Sequence, residues 1–524
     1  MLDSWLPASP SPFFSPLRET VREGGEQVAS KLELPPSPSL PRKGGESRLR
    51  PVATPRLIAI TLLLALIVPT PAFAAQGLDG AKLSALWALP FAGLLLCIAT
   101  GPVFYPHLWE HHFGKITAAW AALVTIPLFM TVDGATATTT FAHVMLADYV
   151  PFILLLLALF TAAGGIYLEG NLHDSVFTNT VLLAVGSVLA SIVGTTGAAM
   201  ILIRPLIRAN DDRRYNAHVV VFFIFLVANI GGSLSPLGDP PLFIGFLRGV
   251  DFFWTTQHLW EETLVVGGIV LAVFLVIDLF MHRRERHFRR RPDPTPDTPL
   301  KLHGKINLVL IAVIIAAILM SAQWKPGVAF TVAGVPIELQ NLLRDVIFVV
   351  VTLASVALTR RTHRAANGFS WGPIREVAIL FAGIFICIVP VMAMLQAGPK
   401  GPFAPLVALV THADGTSNAA AYFWLTGGLS SFLDNAPTYL VFFQLAGGDP
   451  QVLMTTQAAT LAAISSGAVY MGANTYIGNA PNFMVYAIAR QAGVKMPSFF
   501  GYMVWSGLVL IPTFGIATVL FFRP

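Results

Sequence analysis

Leu189-Ala-Ser-Ile-Val-Gly-Thr-Thr196 and Gly238-Asp-Pro-Pro-Leu-Phe-Ile244 return, without a gap, as Leu429-Ser-Ser-Phe-Leu-Asp-Asn-Ala436 and Gly478-Asn-Ala-Pro-Asn-Phe-Met484. The offset is constant, since 434 − 194 and 478 − 238 both give 240, and each copy keeps 44 residues between its parts (238 − 194 and 478 − 434). In both copies small, polar and helix-breaking residues interrupt very apolar sequence. Matched interruptions in two halves of a chain mark the binding site of a secondary transporter.

Composition places these knots in lipid. Of 524 residues, 55% are hydrophobic and 12% charged, with a mean hydropathy of +0.68, far from soluble averages. The net charge of +5 comes from Arg and Lys clustered in short loops between apolar spans, where they set orientation; no nucleic-acid partner is expected. Cys97 and Cys387 each sit inside an apolar run, so neither a disulfide nor a metal framework is expected.

Residues 1–52 are rich in Pro and Ser without helical or strand period and read as disordered. Residues 53–75 read as a signal peptide or a first transmembrane helix: Arg56, apolar Leu57 to Val68, then Ala72-Phe73-Ala74 with cleavage after Ala74. Spans long enough to cross a bilayer as helix start near Leu83, Thr117, Tyr149, Ala217, Leu264, Ile306, Val346, Val377, Gln457 and Tyr502. Thr178 to Ile207 and Ala419 to Gln444 are too long for one span, too short for two, and polar in the middle. Re-entrant hairpins fit them.

Loop charge agrees with this arrangement. His107 to Lys115, Arg204 to Arg214, His282 to Arg291, Arg360 to Arg364 and Arg490 to Lys495 fall on the cytoplasmic side; Asp133 to Asp148 and the acidic loop Asp251 to Glu262 fall outside. The expected fold is an all-α polytopic membrane protein with an inverted-topology repeat, residues 76–281 and 306–524, joined by a basic cytoplasmic linker at 282–305. Its location is the bacterial inner membrane, multi-pass, with the lipid bilayer as its solvent.

Broken helices persist in hydrocarbon only where protein or a water-filled cavity satisfies their backbone. Half-helix N-termini attract anions, while unwound carbonyls and C-termini coordinate cations. Candidate oxygen ligands in the first half are Thr195, Thr196, Ser233 and Ser235, and in the second Asn435, Thr438, Asn474, Thr475, Asn479 and Asn482. Asp239 and Asp434 fall near mid-membrane, where an ionised carboxylate costs about 2.5 to 3.5 kcal/mol. An ordinary aspartate ionises near pH 3.9, so a proton carrier at neutral pH needs its anion destabilised by roughly 4 kcal/mol. Cation and proton would then compete for one site. Turn and capping roles are the plainer readings of both acids. Asp278 and Asp345 fall near membrane ends, where interfacial solvation is expected.

The knots Gly232-Ser-Leu-Ser-Pro-Leu-Gly-Asp-Pro-Pro241, Leu433-Asp-Asn-Ala-Pro-Thr438 and Gly472-Ala-Asn-Thr-Tyr-Ile-Gly-Asn-Ala-Pro-Asn482 resemble those of the ion transporter superfamily. That group includes sodium/proton antiporters of the NhaD type, arsenite permeases and citrate or dicarboxylate carriers. The resemblance covers about Leu83 to Phe522. It implies two hairpins and two broken helices meeting at the substrate site, a mobile transport domain, and a homodimer held by a scaffold domain. It also implies one cation site from Thr195, Thr196, Ser235, Gly238 and Asp239, mirrored by Asp434, Asn435, Asn474, Thr475, Gly478 and Asn479. Unlike the dicarboxylate carriers, this chain has no Ser-Asn-Thr triplet in its knots. Sodium/proton antiport by alternating access is therefore the leading expectation, with sodium and protons as transported ions, a small inorganic cation as substrate and no cofactor. Transport of citrate, other carboxylates or arsenite is the runner-up. An enzyme is not expected: His107, His111 and His112 share a stretch with Trp109 but lack a paired catalytic motif.

Overall fold

The structure, a computed structural model, describes residues 78–170, 172, 175–285 and 298–523. The disordered head, the signal or first membrane segment and half of the basic linker (286–297 of 282–305) predicted from sequence lie outside the described residues.

Each half presents the same order of elements: three spans, a hairpin, a broken span and a closing span. In the first half these are α1 (Leu89–Phe104), α2 (Pro106–Thr131), α3 (Gly134–Ala163), the hairpin α4 (Val176–Val193) and α5 (Thr195–Arg208), the broken pair α6 (Ala217–Leu226) and α7 (Pro240–Leu247), and α8 (Trp254–Glu285). The second half has α9 (Ile306–Gln323), α10 (Leu339–Leu358), α11 (Gly372–Cys387) with α12 (Val389–Gln396), the hairpin α13 (Ala419–Ser430) and α14 (Asn435–Leu445), the pair α15 (Ala458–Met471) and α16 (Ala480–Gln491), and α17 (Phe499–Phe521). Eight helices among the described residues, α4 included, are long and apolar enough to cross a membrane, and the bent pair of α11 and α12 passes the same test together. The chain is a polytopic, almost wholly helical membrane protein.

Two short ribbons interrupt the helical pattern. β1 (Tyr167–Glu169) pairs antiparallel with β2 (Lys301–His303) in the register Tyr167 to His303. β3 (Ala329–Val332) pairs with β4 (Val335–Glu338) around Ala333 and Gly334, both at positive φ (49° and 81°), the backbone that a two-residue hairpin demands.

Local chemistry explains the breaks. Gly194 takes φ 83°, which side-chain-bearing residues avoid, so α4 stops and the N–H of Thr195 donates to the Gly238 carbonyl at 2.8 Å. The exchange of side-chain hydrogen bonds between Asn179 and Asn210 (2.9 and 2.8 Å) keeps both ends of the first hairpin on one face. The two unwound segments are tied in matching ways. Ser235 donates to the Ser191 carbonyl, as Thr475 does to that of Ser431 at 2.5 Å; Ser191 donates to Gly231 at 2.5 Å, as Ser431 does to Met471 at 3.2 Å. Gly238 nests so closely on Gly232 that a Cβ would meet its carbonyl oxygen at 2.0 Å, and Gly478 on Gly472 at 2.6 Å. Residues His218 to Leu226 and all of α14 are buried, so the interrupted elements form the centre. The outer helices expose residues such as Leu123, Val276, Leu353 and Leu508, the lipid-facing surface of such a fold.

Several sequence expectations are corrected. His107 to Lys115 is not a loop but the first turns of α2, opened by Pro106 at a position that needs no N–H. Asp133 to Asp148 is helical too: Asp133 accepts the N–H groups of Ala135 and Thr136 at 3.0 Å each, and α3 then passes through a π-turn, Val144–Tyr149. The acidic loop predicted to end at Glu262 ends instead before Trp254, and Glu262 is buried inside α8. Asp278 is not solvated at an interface; Arg213 at 2.6 Å and His218 at 2.8 Å close over it. Asp345 is mostly covered as well and pairs with Arg344 at 2.9 Å. The 42° bend between α11 and α12, at Ile388 just before Val389-Pro390, has no counterpart in the sequence reading.

Candidate transport site

Four helices begin at one point. Asp239 immediately precedes α7 and Asn479 precedes α16, while Thr195 opens α5 and Asn435 opens α14. The Asp239 carboxylate gathers them: Thr195 Oγ1 donates to its Oδ1 at 2.9 Å, Asn479 Nδ2 to the same oxygen at 3.1 Å, and Asn435 Nδ2 to Oδ2. Thr195 and Asn435 stand 240 residues apart, as do Asp239 and Asn479, so the cluster is built from two pairs of equivalent positions. α5 packs along α16 and α7 along α14. At 1.5 Å per residue these half-helices reach about 12 to 21 Å from the common centre.

Such an arrangement concentrates positive potential, because each helix start carries roughly half a unit of charge from its aligned peptide dipoles. Few of the first amides can bond a ligand directly. Pro240, Pro241 and Pro481 have no N–H, and Asp434 accepts the Ala436 N–H at 3.1 Å. Field rather than amide donation dominates.

A small apolar pocket of about 90 Å³ touches Thr195, Thr196, Gly238, Asp239, Asp434 and Asn479. Beside it a larger cavity of about 510 Å³ runs from Asp434 and Asn479 past Glu376 to Arg204 and Gln491. A separate polar cavity of about 540 Å³ has Lys325, Glu338 and Arg344 on its wall, together with Asp148 and Arg248. Those two form an ion pair at 2.8 Å between α3 and the end of α7.

Of the residues singled out from sequence, Thr195, Asp239, Asn435 and Asn479 meet, and Thr196, Gly238 and Asp434 line the same space. The others are turned to structural tasks. Ser233 bonds the Ile230 carbonyl (2.9 Å) and Thr263 (2.7 Å), facing α8 instead of the centre. Ser235 and Thr475 tie the unwound segments, Gly478 nests on Gly472, and Thr438 bonds back to the Asp434 carbonyl at 3.0 Å. Asn474 donates to Ser431 at 2.9 Å, and Asn482 donates to Gly472 at 2.8 Å and Thr475 at 3.0 Å.

Sequence reading missed three residues. Asn229 donates to Asn482 Oδ1 at 2.7 Å and accepts from Asn479 at 3.3 Å, linking the two broken spans; an amide inside apolar sequence just before Ile-Gly-Gly was its signal. Arg204, expected at a membrane end, lines the larger cavity. Glu262 is hidden in α8.

Comparison with known proteins agrees with this architecture. The pattern of a family described as "Putative citrate transport" matches residues 80–522. Two uncharacterized transporters, from Mycobacterium bovis and Mycobacterium tuberculosis, are each 24% identical over 345 residues, covering 65% of this chain and 75% of theirs. The matched family spans both hairpins and both broken helices, so the chain belongs to it and is a transporter, not an enzyme.

Proposed function

We propose that the protein is a secondary carrier of a small multi-carboxylate anion of the citrate class, bound together with protons or small cations and moved by alternating access. The convergence of four helix starts carries this reading. Their dipoles sum to about two positive charges, and ionised Asp239 and Asp434 supply two negative ones. An incoming anion gains little from so balanced a site. Once a proton or sodium ion neutralises either carboxylate, the helix field is free to hold it, and cation and anion bind cooperatively. The family description supports the anion, and Arg204 gives the larger cavity a fixed positive charge.

In this scheme the repeats 76–281 and 306–524 contribute the hairpins and broken spans to a moving unit, carried by a homodimer in a bacterial inner membrane. A cavity that reaches Asp434 and Asn479, and a separate one walled by the Asp148–Arg248 ion pair, are the openings that alternating access would use in turn.

A second reading, sodium/proton antiport at the same residues, draws on Asp239, a carboxylate met only by neutral donors within the cluster. Purified protein in vesicles loaded with a pH-sensitive dye separates the two. Labelled citrate uptake that rises with an inward proton or sodium gradient is the expected result. Sodium-driven proton movement without citrate uptake would establish antiport instead.

A further inference from the structure

Glu262 lies two turns into α8, about 12 Å from the helix start at Trp254, and it takes no part in the central cluster. It is 5% exposed, and its Oε2 has no hydrogen-bond partner among the described residues. Its other contacts are neutral: Ser466 of α15 faces it, and Tyr470, one turn further along α15, accompanies it. Its neighbour Thr263 touches Tyr470 at 2.9 Å and Ser233, in the first unwound segment, at 2.7 Å. Glu262 therefore sits where the closing span of the first half meets both broken spans.

Among the described residues, no cation answers this carboxylate. The elements packed on α8 are α4, α6, the turn Ile230–Gly232, α15 and α17. Their ionisable side chains are His218, Tyr470 and Tyr502, and His218 belongs to Asp278 near the far end of α8. On α8 itself, His258 bonds the Trp254 carbonyl at 2.9 Å, and the exposed Glu261 adds only like charge. An isolated carboxylate buried in protein must find a counter-charge or bind a proton.

We propose that Glu262 is a proton-binding site of the transporter, separate from the central cluster, whose occupancy is linked to the rearrangement of the broken spans. The ligand is a proton taken from water: the carboxylate becomes a neutral carboxylic acid and gives the same proton back when the spans move and wet it. No electron or further reactant is involved. The site does not depend on whether the cargo is an anion or a cation.

Two readouts on the full chain in vesicles test it. Infrared difference spectra across a pH titration should show a carboxylic acid band that disappears in Glu262→Gln, a measurement that requires no substrate. Flux of labelled citrate or of sodium limited by this proton changes up to about tenfold per pH unit, and in Glu262→Gln that dependence should flatten. Glu262→Asp, which keeps the carboxyl, should retain coupling with a displaced pH profile, and it carries both tests if the Gln variant does not fold. An unchanged band, or a wild-type pH profile in Glu262→Gln, overturns the proposal. Should citrate and sodium both fail to move in the parent protein, the substrate reading falls and the infrared result still decides Glu262.

Discussion

Positions 239 and 479 are equivalent in backbone and opposite in chemistry. Both open the second arm of a broken helix and both end an unwound segment nested on a glycine, yet one is a carboxylic acid and the other an amide. The hairpin tips differ the other way: Gly194 turns the first, and Asp434 caps the second. The two halves thus share the cradle while charge is distributed unequally. Two acids at 239 and 479 would repel each other across one hydrogen bond, and two amides would leave Asp434 as the one carboxylate facing four helix starts. One of each permits a single carboxylate to be held by three neutral donors.

Removing the charge should give the largest effect. Asp239→Asn loses three hydrogen bonds to an ionised group and puts an NH2 group among donors, so labelled substrate uptake should fall by at least about a hundredfold, equivalent to roughly 3 kcal/mol. Membrane insertion, read by detergent-extracted yield and gel filtration, should be unchanged. Wild-type uptake in this variant would make the asymmetry incidental.

Asn479→Asp sharpens the comparison by placing a second acid 3.1 Å or so from the first, judged from the present amide contact. Such a pair must share a proton, so uptake should decline more steeply with rising pH than in the parent. The exchanged double variant, Asp239→Asn with Asn479→Asp, should recover part of the lost uptake if the twofold geometry is what counts.

Smaller changes follow at the edges of the site. Thr195→Val removes one hydrogen bond to the carboxylate and should weaken substrate binding about tenfold in a thermal-shift titration. Arg204→Gln should raise KM for citrate several-fold and leave the maximal rate nearly intact, because the residue lies along the cavity and outside the central cluster. Ser235→Ala and Thr475→Ala, which cut equivalent ties, should each lower stability by about 1 kcal/mol. Unequal losses in melting temperature would show that the two unwound segments are not supported alike.

The central cluster was legible because it is written locally. Gly, Pro and Asp inside apolar sequence announce a break wherever they occur, and the constant offset paired the breaks. What escaped depends on distant partners. Nothing near Asp278 in sequence shows that Arg213 and His218 will close over it, and Glu262 reads as the end of an acidic loop until α15 is packed against it. The threonine-rich stretch after Gly134 has poor helix propensity and becomes helical between the Asp133 cap and the apolar remainder of α3, so tertiary packing overrode the local preference.

The ribbon of β1 and β2 has a practical corollary. Its strands join the chain just ahead of the first hairpin to the chain just ahead of the second repeat, reinforced by His303 on Glu169 at 2.6 Å and by Arg208, whose guanidinium donates to the Leu168 carbonyl at 2.8 Å. A polypeptide severed between residues 286 and 297 would still have its two pieces clasped backbone to backbone. Separately expressed fragments should accordingly reassemble, which opens the way to labelling one repeat at a time.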